Sequence, residues 1–292
     1  MRILTADVMP KLHPFLTMHI IESEDEYAII DPGPLRSISY VLGFLRRNNI
    51  PMNRIKYVLL THIHIDHAGG VGELIKRLPN AEVVMHVKGI KHMSDPSLLW
   101  EKTKEVLGDL AETYGEIVKI PKSRMVGISG EEILLLGSTE IRVLEAPGHA
   151  SHHLVYFVEN GRLLFSGDAA GIYIEPWKLM LPTTPKPFNV EKALLSLEKM
   201  LSLGPRIIYL PHYGKNMDAR RHIESYMELV MRLENVIREN IDRDIGELIE
   251  IVCAEIPFLG KAIGRVRGHP VWEGSIERSI RGIREYILWK KK

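Results

Sequence analysis

Thr61-His62-Ile63-His64-Ile65-Asp66-His67-Ala68-Gly69-Gly70 crowds His62, His64, Asp66 and His67 into positions 62–67. It follows Tyr57-Val58-Leu59-Leu60, an apolar run too short for a helix, which reads as a buried strand. His62 and His64 are two residues apart, so in extended backbone they leave the chain on one side and can share an ion. Asp66 and His67 are adjacent and would diverge in a strand, so the backbone must curl for both to reach one point. Ala68-Gly69-Gly70 permits that curl, because glycine tolerates close backbone approach. Beyond it, Val71, Leu74, Ile75 and Leu78 keep a helical period. The stretch predicts a strand, a ligand loop and a helix start. A single histidine is ordinarily structural or at the surface. Four polar side chains packed this closely need partners, and a cation supplies them.

The same plan recurs down the chain. Ala146-Pro147-Gly148-His149 follows an apolar strand at 141–145, and its Pro-Gly pair forces a turn that presents His149. Ser166-Gly167-Asp168 follows a strand at 163–165, and Pro211-His212-Tyr213-Gly214 follows one at 206–210. Every candidate ligand stands where a strand ends. Residues 15–30 have hairpin form and lead into Asp31-Pro32-Gly33-Pro34. Turn formation accounts for Asp31; a further role, as a carboxylate that orients a histidine of the ligand loop, is weighed beside it.

The remaining pattern fills in around these loops. Helices are expected at 35–48, 97–114 and 190–203, and further strands at 81–87, 133–136 and 154–158. From about residue 218 the texture becomes charged and amphipathic. Helices are expected at 219–240, 245–256 and 275–288, with a loop punctuated by Pro257, Gly260, Gly264, Gly268 and Pro270 between the last two. This divides the chain into a part that carries the candidate ligands, 1–217, and a helical C-terminal subdomain, 218–292. The subdomain is expected to wall the site, mediate a homodimer or simply cap the core. Lys261, Arg265 and Arg267 read as solvated cations that could also meet an anionic substrate.

With 292 residues, 45% hydrophobic and 26% charged, the chain can bury a sizeable core. Its formal charge of +1 suggests neither a nucleic-acid nor an acidic-surface partner. Met1 to Pro10 lacks the apolar core of a signal peptide, and no run approaches membrane-spanning length, so a cytoplasmic protein is expected. The sole cysteine, Cys253, excludes an internal disulfide and a cysteine-based zinc knuckle, and reads as a buried inert thiol. The absence of glutamine, with abundant Lys, Arg and Glu, points to a heat-adapted source. Lys290-Lys291-Lys292 reads as a solvated tail.

The order HxHxDH, then His in a Pro-Gly turn, Gly-Asp after a strand and His after a last strand resembles the metallo-β-lactamase-fold superfamily. His62, His64, Asp66, His67, His149, Asp168 and His212 match it, as does the early Asp31-Pro32-Gly33, over roughly residues 3–215. The resemblance implies an α/β four-layer αββα sandwich with a helical C-terminal extension. Within the superfamily the Asp66-containing pattern looks like the dinuclear zinc branch related to glyoxalase II. By that likeness His62, His64 and His149 would hold one metal, Asp66, His67 and His212 the second, with Asp168 bridging. The run 181–188, leading into the helix at 190–203, looks like a poorly characterised archaeal and bacterial subgroup.

Imidazole and carboxylate without thiolate suit zinc, iron or manganese, zinc being the commonest hydrolytic choice. Water bound to such an ion ionises near neutral pH, so no serine or cysteine nucleophile is needed. The expectation is a hydrolase holding two Zn2+, cleaving a carboxylic thioester, ester or lactone of a small-molecule substrate, with Asp66 and Asp168 as its catalytic carboxylates. A mononuclear iron persulfide dioxygenase fits less well, because it uses a smaller ligand set. An RNA or phosphodiester hydrolase lacks support from the charge. His152 and His153 are left without a role, a rim or supporting part being the lesser alternative, and Tyr213 and Tyr173 read as pocket walls rather than catalysts. His13 and His19 read as structural, and no partner pattern accompanies His86 and His92.

Overall fold

The computed structural model describes residues 1–291, whose strands form two six-stranded sheets and a separate hairpin. The first sheet follows chain order: β1 (Arg2–Asp7), β2 (Thr17–Ser23), β3 (Glu26–Ile30), β4 (Ile55–Leu59), β5 (Glu82–His86) and β6 (Met125–Ile128). Its first two pairings are antiparallel and the rest parallel. In the second sheet, β7 (Glu131–Leu136), β8 (Thr139–Glu145), β9 (Leu154–Val158) and β10 (Leu163–Phe165) are antiparallel neighbours. The hairpin of β11 (Ile172–Ile174) and β12 (Leu179–Leu181) stands apart. Then β13 (Ile207–Leu210) joins β10 in parallel, and β14 (Gly214–Asn216) forms the edge.

The two-residue period of these strands builds the layers. Ala28, Ile30, Tyr57 and Leu59 from the first sheet meet Ile141, Val143, Tyr156 and Phe165 from the second in an apolar seam between the sheets. Their alternates Ile29, Val58, Val83, Phe157 and Leu164 face outward into the cluster that contains the helices. Strands buried on both faces read as unbroken apolar runs, as 57–60 does. Outside the first sheet lie α1 (Ile38–Arg47), α2 (Ile65–Ala68), α3 (Val71–Leu74), α4 (Val87–Ser94), α5 (Ser97–Leu107) and α6 (Asp109–Tyr114). The second is covered by α7 (Val190–Ser202) and α8 (Ala219–Glu239), followed by α9 (Ile245–Glu255), α10 (Pro257–Val266) and α11 (Ser275–Lys290). The result is the expected αββα sandwich with C-terminal helices.

Local differences from the sequence reading have physical reasons. The helix expected over 97–114 breaks at Gly108, whose φ of 54° interrupts it between α5 and α6. The loop expected around Pro257 and Gly264 is largely helix: Pro257 occupies the first turn of α10, where its missing N–H costs nothing. The short strands β1, β6, β11, β12 and β14 carry too little apolar pattern to be read alone. Cys253 is half-buried rather than buried, and burial still pushes its thiol up, away from the reactive thiolate. Lys290 ends α11 and pairs with Glu191, so it is not part of a tail, while Lys292 lies outside the described residues. No helix among the described residues is long and apolar enough to cross a membrane.

The C-terminal helices share the main core. On α11, Ile276, Ile280, Ile283 and Ile287 form a stripe, and on α8 Ile223, Tyr226, Val230, Leu233 and Ile237 form another. Both belong to the same apolar cluster as Leu144 and Phe157 of the second sheet.

Candidate metal centre

The loop after β4 curls as its glycines allow. His64 leads into the single turn of α2, which turns Asp66 and His67 inward, and Gly70 packs so tightly that a Cβ there would lie 2.6 Å from Ile38. Gly148, with φ of +147°, presses on Ala193 of α7 in the same way and fixes the turn that carries His149. Asp168 sits in a 3-10 turn after β10, and His212 in the loop between β13 and β14.

The loops converge. His62, His64 and His149 bring one nitrogen each within 4.8 Å of one another, as do the ligand atoms of His62, His67 and Asp168, and of Asp66, His67 and His212. All seven candidate ligands therefore fall in three overlapping groups. Within them His62 Nε2 lies 2.9 Å and His149 Nε2 3.0 Å from His64 Nδ1. Asp168 Oδ1 lies 3.6 Å from His67 Nε2 and 3.3 Å from His212 Nε2, and its Oδ2 lies 3.6 Å from His149 Nε2.

The far nitrogens of these rings explain the orientation. With the proton assigned by the available acceptor, His67 Nδ1 donates to Asp31 Oδ2 (3.0 Å), His149 Nδ1 to the Thr183 carbonyl (3.0 Å) and His212 Nδ1 to the Phe15 carbonyl (3.2 Å). Thr61 Oγ1 donates to Asp31 Oδ2 at 2.6 Å, which leaves it to accept from His62 Nδ1 at 3.0 Å. Each ring is thereby left with an unprotonated Nε2 turned toward the centre. Asp31 also accepts from the Thr61 N–H at 2.8 Å, so one carboxylate braces both the strand end and a ligand histidine.

The centre fits a cation. His67 Nε2 and Asp168 Oδ1 are buried with no hydrogen-bond partner, although they face each other among lone pairs. Burial, and then neighbouring histidines, hold His62 and His64 well below the ordinary imidazole value, in the neutral ligand form. Burial opposes ionisation of Asp168, yet His212, His67 and His149 outweigh it and keep the carboxyl far below its usual range. Burial likewise lowers His67, but Asp66, Asp168 and Asp31 lift it to about 10. That value describes a proton drawn by surplus negative charge, and a divalent ion answers the same charge with the neutral ring as ligand.

Two histidines with no assigned part now divide. His153 is buried, stacks on His62 at 4.8 Å and accepts the Asp168 backbone N–H at Nε2 (3.2 Å), so it fixes the Asp168 turn. The His152 ring lies 5.9 Å from that of His64, beside the centre. Tyr213 and Tyr173 stand away from the cavity and pack on His13 and His222 instead. His19 is buried between Thr5 and Leu210, and His86 pairs with Glu145 at 3.0 Å, both outside the centre. Thr183, whose carbonyl orients His149, was not legible, because nothing in its proline-rich surroundings marks a partner 34 residues away.

A cavity of about 410 Å³ opens beside the centre, with His64, Asp66, His149, Asp168 and His212 on one side. Phe15, Leu99, Leu107, Leu110, Tyr114, Ile172 and Trp272 supply apolar walls. The C-terminal segment thus walls the cavity, through Val271, Trp272 and the start of α11. A larger surface hollow of about 740 Å³ between Gly72, Ser94 and Pro121 touches none of the seven residues.

A family profile described as "Metallo-beta-lactamase superfamily" matches residues 17–212, which spans β2 to the last candidate ligand. The chain belongs to the metallo-beta-lactamase superfamily. Among relatives in that superfamily, the "Metallo-beta-lactamase fold-containing protein ST1585" of Sulfurisphaera tokodaii is 29% identical over 92% of this chain and 90% of its own. "Hydroxyacylglutathione hydrolase 1" of Vibrio vulnificus is 29% identical over 82% of this chain and 80% of its own. The crystal structure of the archaeal ST1585 protein superposes with a TM-score of 0.68 at 26% identity, covering 93% of both chains. A metallo-beta-lactamase family protein of Thermus thermophilus, at 21% identity and a TM-score of 0.62, shares the fold.

Proposed function

We propose that this superfamily member is a dinuclear metal hydrolase, with zinc the preferred ion, that cleaves a carboxylic thioester, ester or lactone. The convergence of seven histidine and aspartate ligands beside an apolar cavity carries the reading. His62, His64 and His149 would hold one ion and Asp66, His67 and His212 the other, with Asp168 shared. When bound, such ions polarise a carbonyl and make water nucleophilic near neutral pH. The thioester part also draws on relatives named for it, the Vibrio hydrolase above and an "Atrochrysone carboxyl ACP thioesterase" of Aspergillus fumigatus, 25% identical over 70% of this chain and 58% of its own.

The chain's own groups do the rest. Asp31, Thr61, Thr183 and the Phe15 carbonyl hold four rings in one tautomer, so the ligands are set before substrate arrives. Asp66 is the carboxylate a substrate meets, its side chain 21% exposed against 6% for Asp168. It is placed to orient water and accept a proton at its carboxylate oxygen. The apolar walls exclude bulk water and receive the acyl or alcohol part.

The test is hydrolysis of a panel of thioesters, esters and lactones by zinc-loaded protein, with phosphodiesters and RNA as contrast. Turnover of a carboxylic substrate that falls to background on chelation and returns with zinc is expected. Turnover of RNA or phosphodiesters alone, or oxygen consumption with persulfide, would replace the reading.

A further inference from the structure

The cavity has a second polar patch, opposite in charge to the carboxylates of the centre and next to it, since the Trp272 ring that precedes the patch lies 5.2 Å from that of His212. The patch is built by the first turn of α11. The residue before that helix, Gly274, has no side chain to cap it; the Ser275 N–H donates to the Trp272 carbonyl at 3.0 Å, which leaves the Ile276 and Glu277 N–H groups free at the positive end of a 16-residue helix. Ser275 and Arg278 of this helix start line the cavity. The Ser275 hydroxyl is buried, the residue being 7% exposed, and has no hydrogen-bond partner. Such a group is costly unless a ligand completes it.

Arg278 is held but not neutralised. Its Nη1 donates to the Glu273 carbonyl at 3.2 Å and its Nη2 to the Val271 carbonyl at 2.9 Å, which fixes the fork. No carboxylate among the described residues pairs with it, whereas the other cations lining the cavity, Lys102 and Lys186, pair with Glu105 and Glu285. Arg278 is exposed at the cavity, burial of part of its side chain pushes the guanidinium value down while Tyr114 and Glu277 oppose the shift, and Glu277 itself pairs with Arg281. Leu99, Val106, Leu107 and Leu110 line the same cavity and offer no side-chain hydrogen bond, whereas Thr103, Tyr114 and Thr183 do.

We propose that Ser275, Arg278 and the first turn of α11 form a carboxylate subsite. The substrate of the reaction proposed above then carries an anionic carboxylate besides the acyl carbon that reacts, and this assignment rests on that reaction. One unpaired cation and one free hydroxyl match one negative charge; a phosphate dianion would call for a second free cation. Hydrolysis of such a thioester consumes water, breaks the acyl carbon–sulfur bond and yields a dicarboxylate and a thiol.

The experiment pairs two thioesters of one thiol and equal chain length, from adipic acid as its half-thioester and from hexanoic acid, assayed with zinc-loaded protein. The native chain is expected to favour the anionic member. In R278M the ratio of the two kcat/KM values should fall about 10- to 100-fold, and in S275A by less, while R278K keeps part of it. A ratio unchanged by R278M, or a native preference for the neutral member, overturns the subsite. If neither thioester is turned over, the reaction reading fails and the subsite is judged by binding. Adipate should then raise the melting temperature of the native chain more than hexanoate does, and R278M should abolish the difference. Equal shifts from both acids, or a difference that survives R278M, overturn it.

Discussion

The residue that ties the candidate centre together is Asp31, which accepts from Thr61 twice and from His67. Asn in its place keeps the size but loses the charge and an acceptor. D31N should therefore lower metal affinity about 10- to 100-fold, read by competition with a chelating dye. D168A removes the carboxylate proposed to be shared between the ions, and should cut both the bound metal, by elemental analysis, and the turnover. Away from the centre, His222 is buried, donates from Nε2 to the Ala170 carbonyl, and is lowered by burial to about 4 from 6.5. The unfolded chain takes this proton first as pH falls. The stability tied to neutral His222 is present in full above about pH 6.5 and lost as pH drops toward 4, by about 3 kcal/mol for the whole interval. H222Q, which keeps a donor but cannot titrate, should flatten urea-unfolding stability against pH over that interval. All seven metal-ligand candidates could be named from the sequence, because each stands where an apolar strand ends. Ser275, Arg278 and Thr183 could not, since their roles depend on which chain end folds over the cavity.

Elements obey the same packing rules with different outcomes at neighbouring glycines. Gly264 lies inside α10, where an added Cβ meets nothing within 4 Å, so G264A should stabilise by about 0.5–1 kcal/mol through helix propensity. Gly282 lies inside α11, where a Cβ would sit 1.8 Å from the Thr184 carbonyl oxygen. G282A must push the helix off residues 183–184, and should lower the denaturant midpoint by the equivalent of about 1–3 kcal/mol. Matched melts of the two variants check both signs. Helices with sustained periodicity, α7, α8, α9 and α11, could be read from the chain. The density of glycine and proline hid α10, since Pro257 suits a first helical turn as well as a loop. Gly108 pointed the other way: a lone glycine inside an apolar period looks tolerable, yet here it takes a positive φ and ends α5.

Across the whole molecule the αββα layering followed from the family resemblance that the ligand loops carry, not from the strand pattern by itself, and the place of the C-terminal helices was not legible. Composition divides the chain near residue 218, whereas Ile223, Tyr226, Leu259 and Ile280 belong to the same apolar cluster as Leu144, Phe157 and Ile208. Residues 218–292 are thus part of the core and of the cavity wall. A chain ending at residue 217 would expose that cluster, and is expected to bind the dye ANS and lack a cooperative melt; a sharp transition would show that the first part folds alone. The central claim concerns the metal centre, and elemental analysis of protein purified without added metal tests it most directly. About two zinc or manganese ions per chain, lost together in D168A, is the expected result. About one iron per chain, or no retained metal with full turnover, would contradict it.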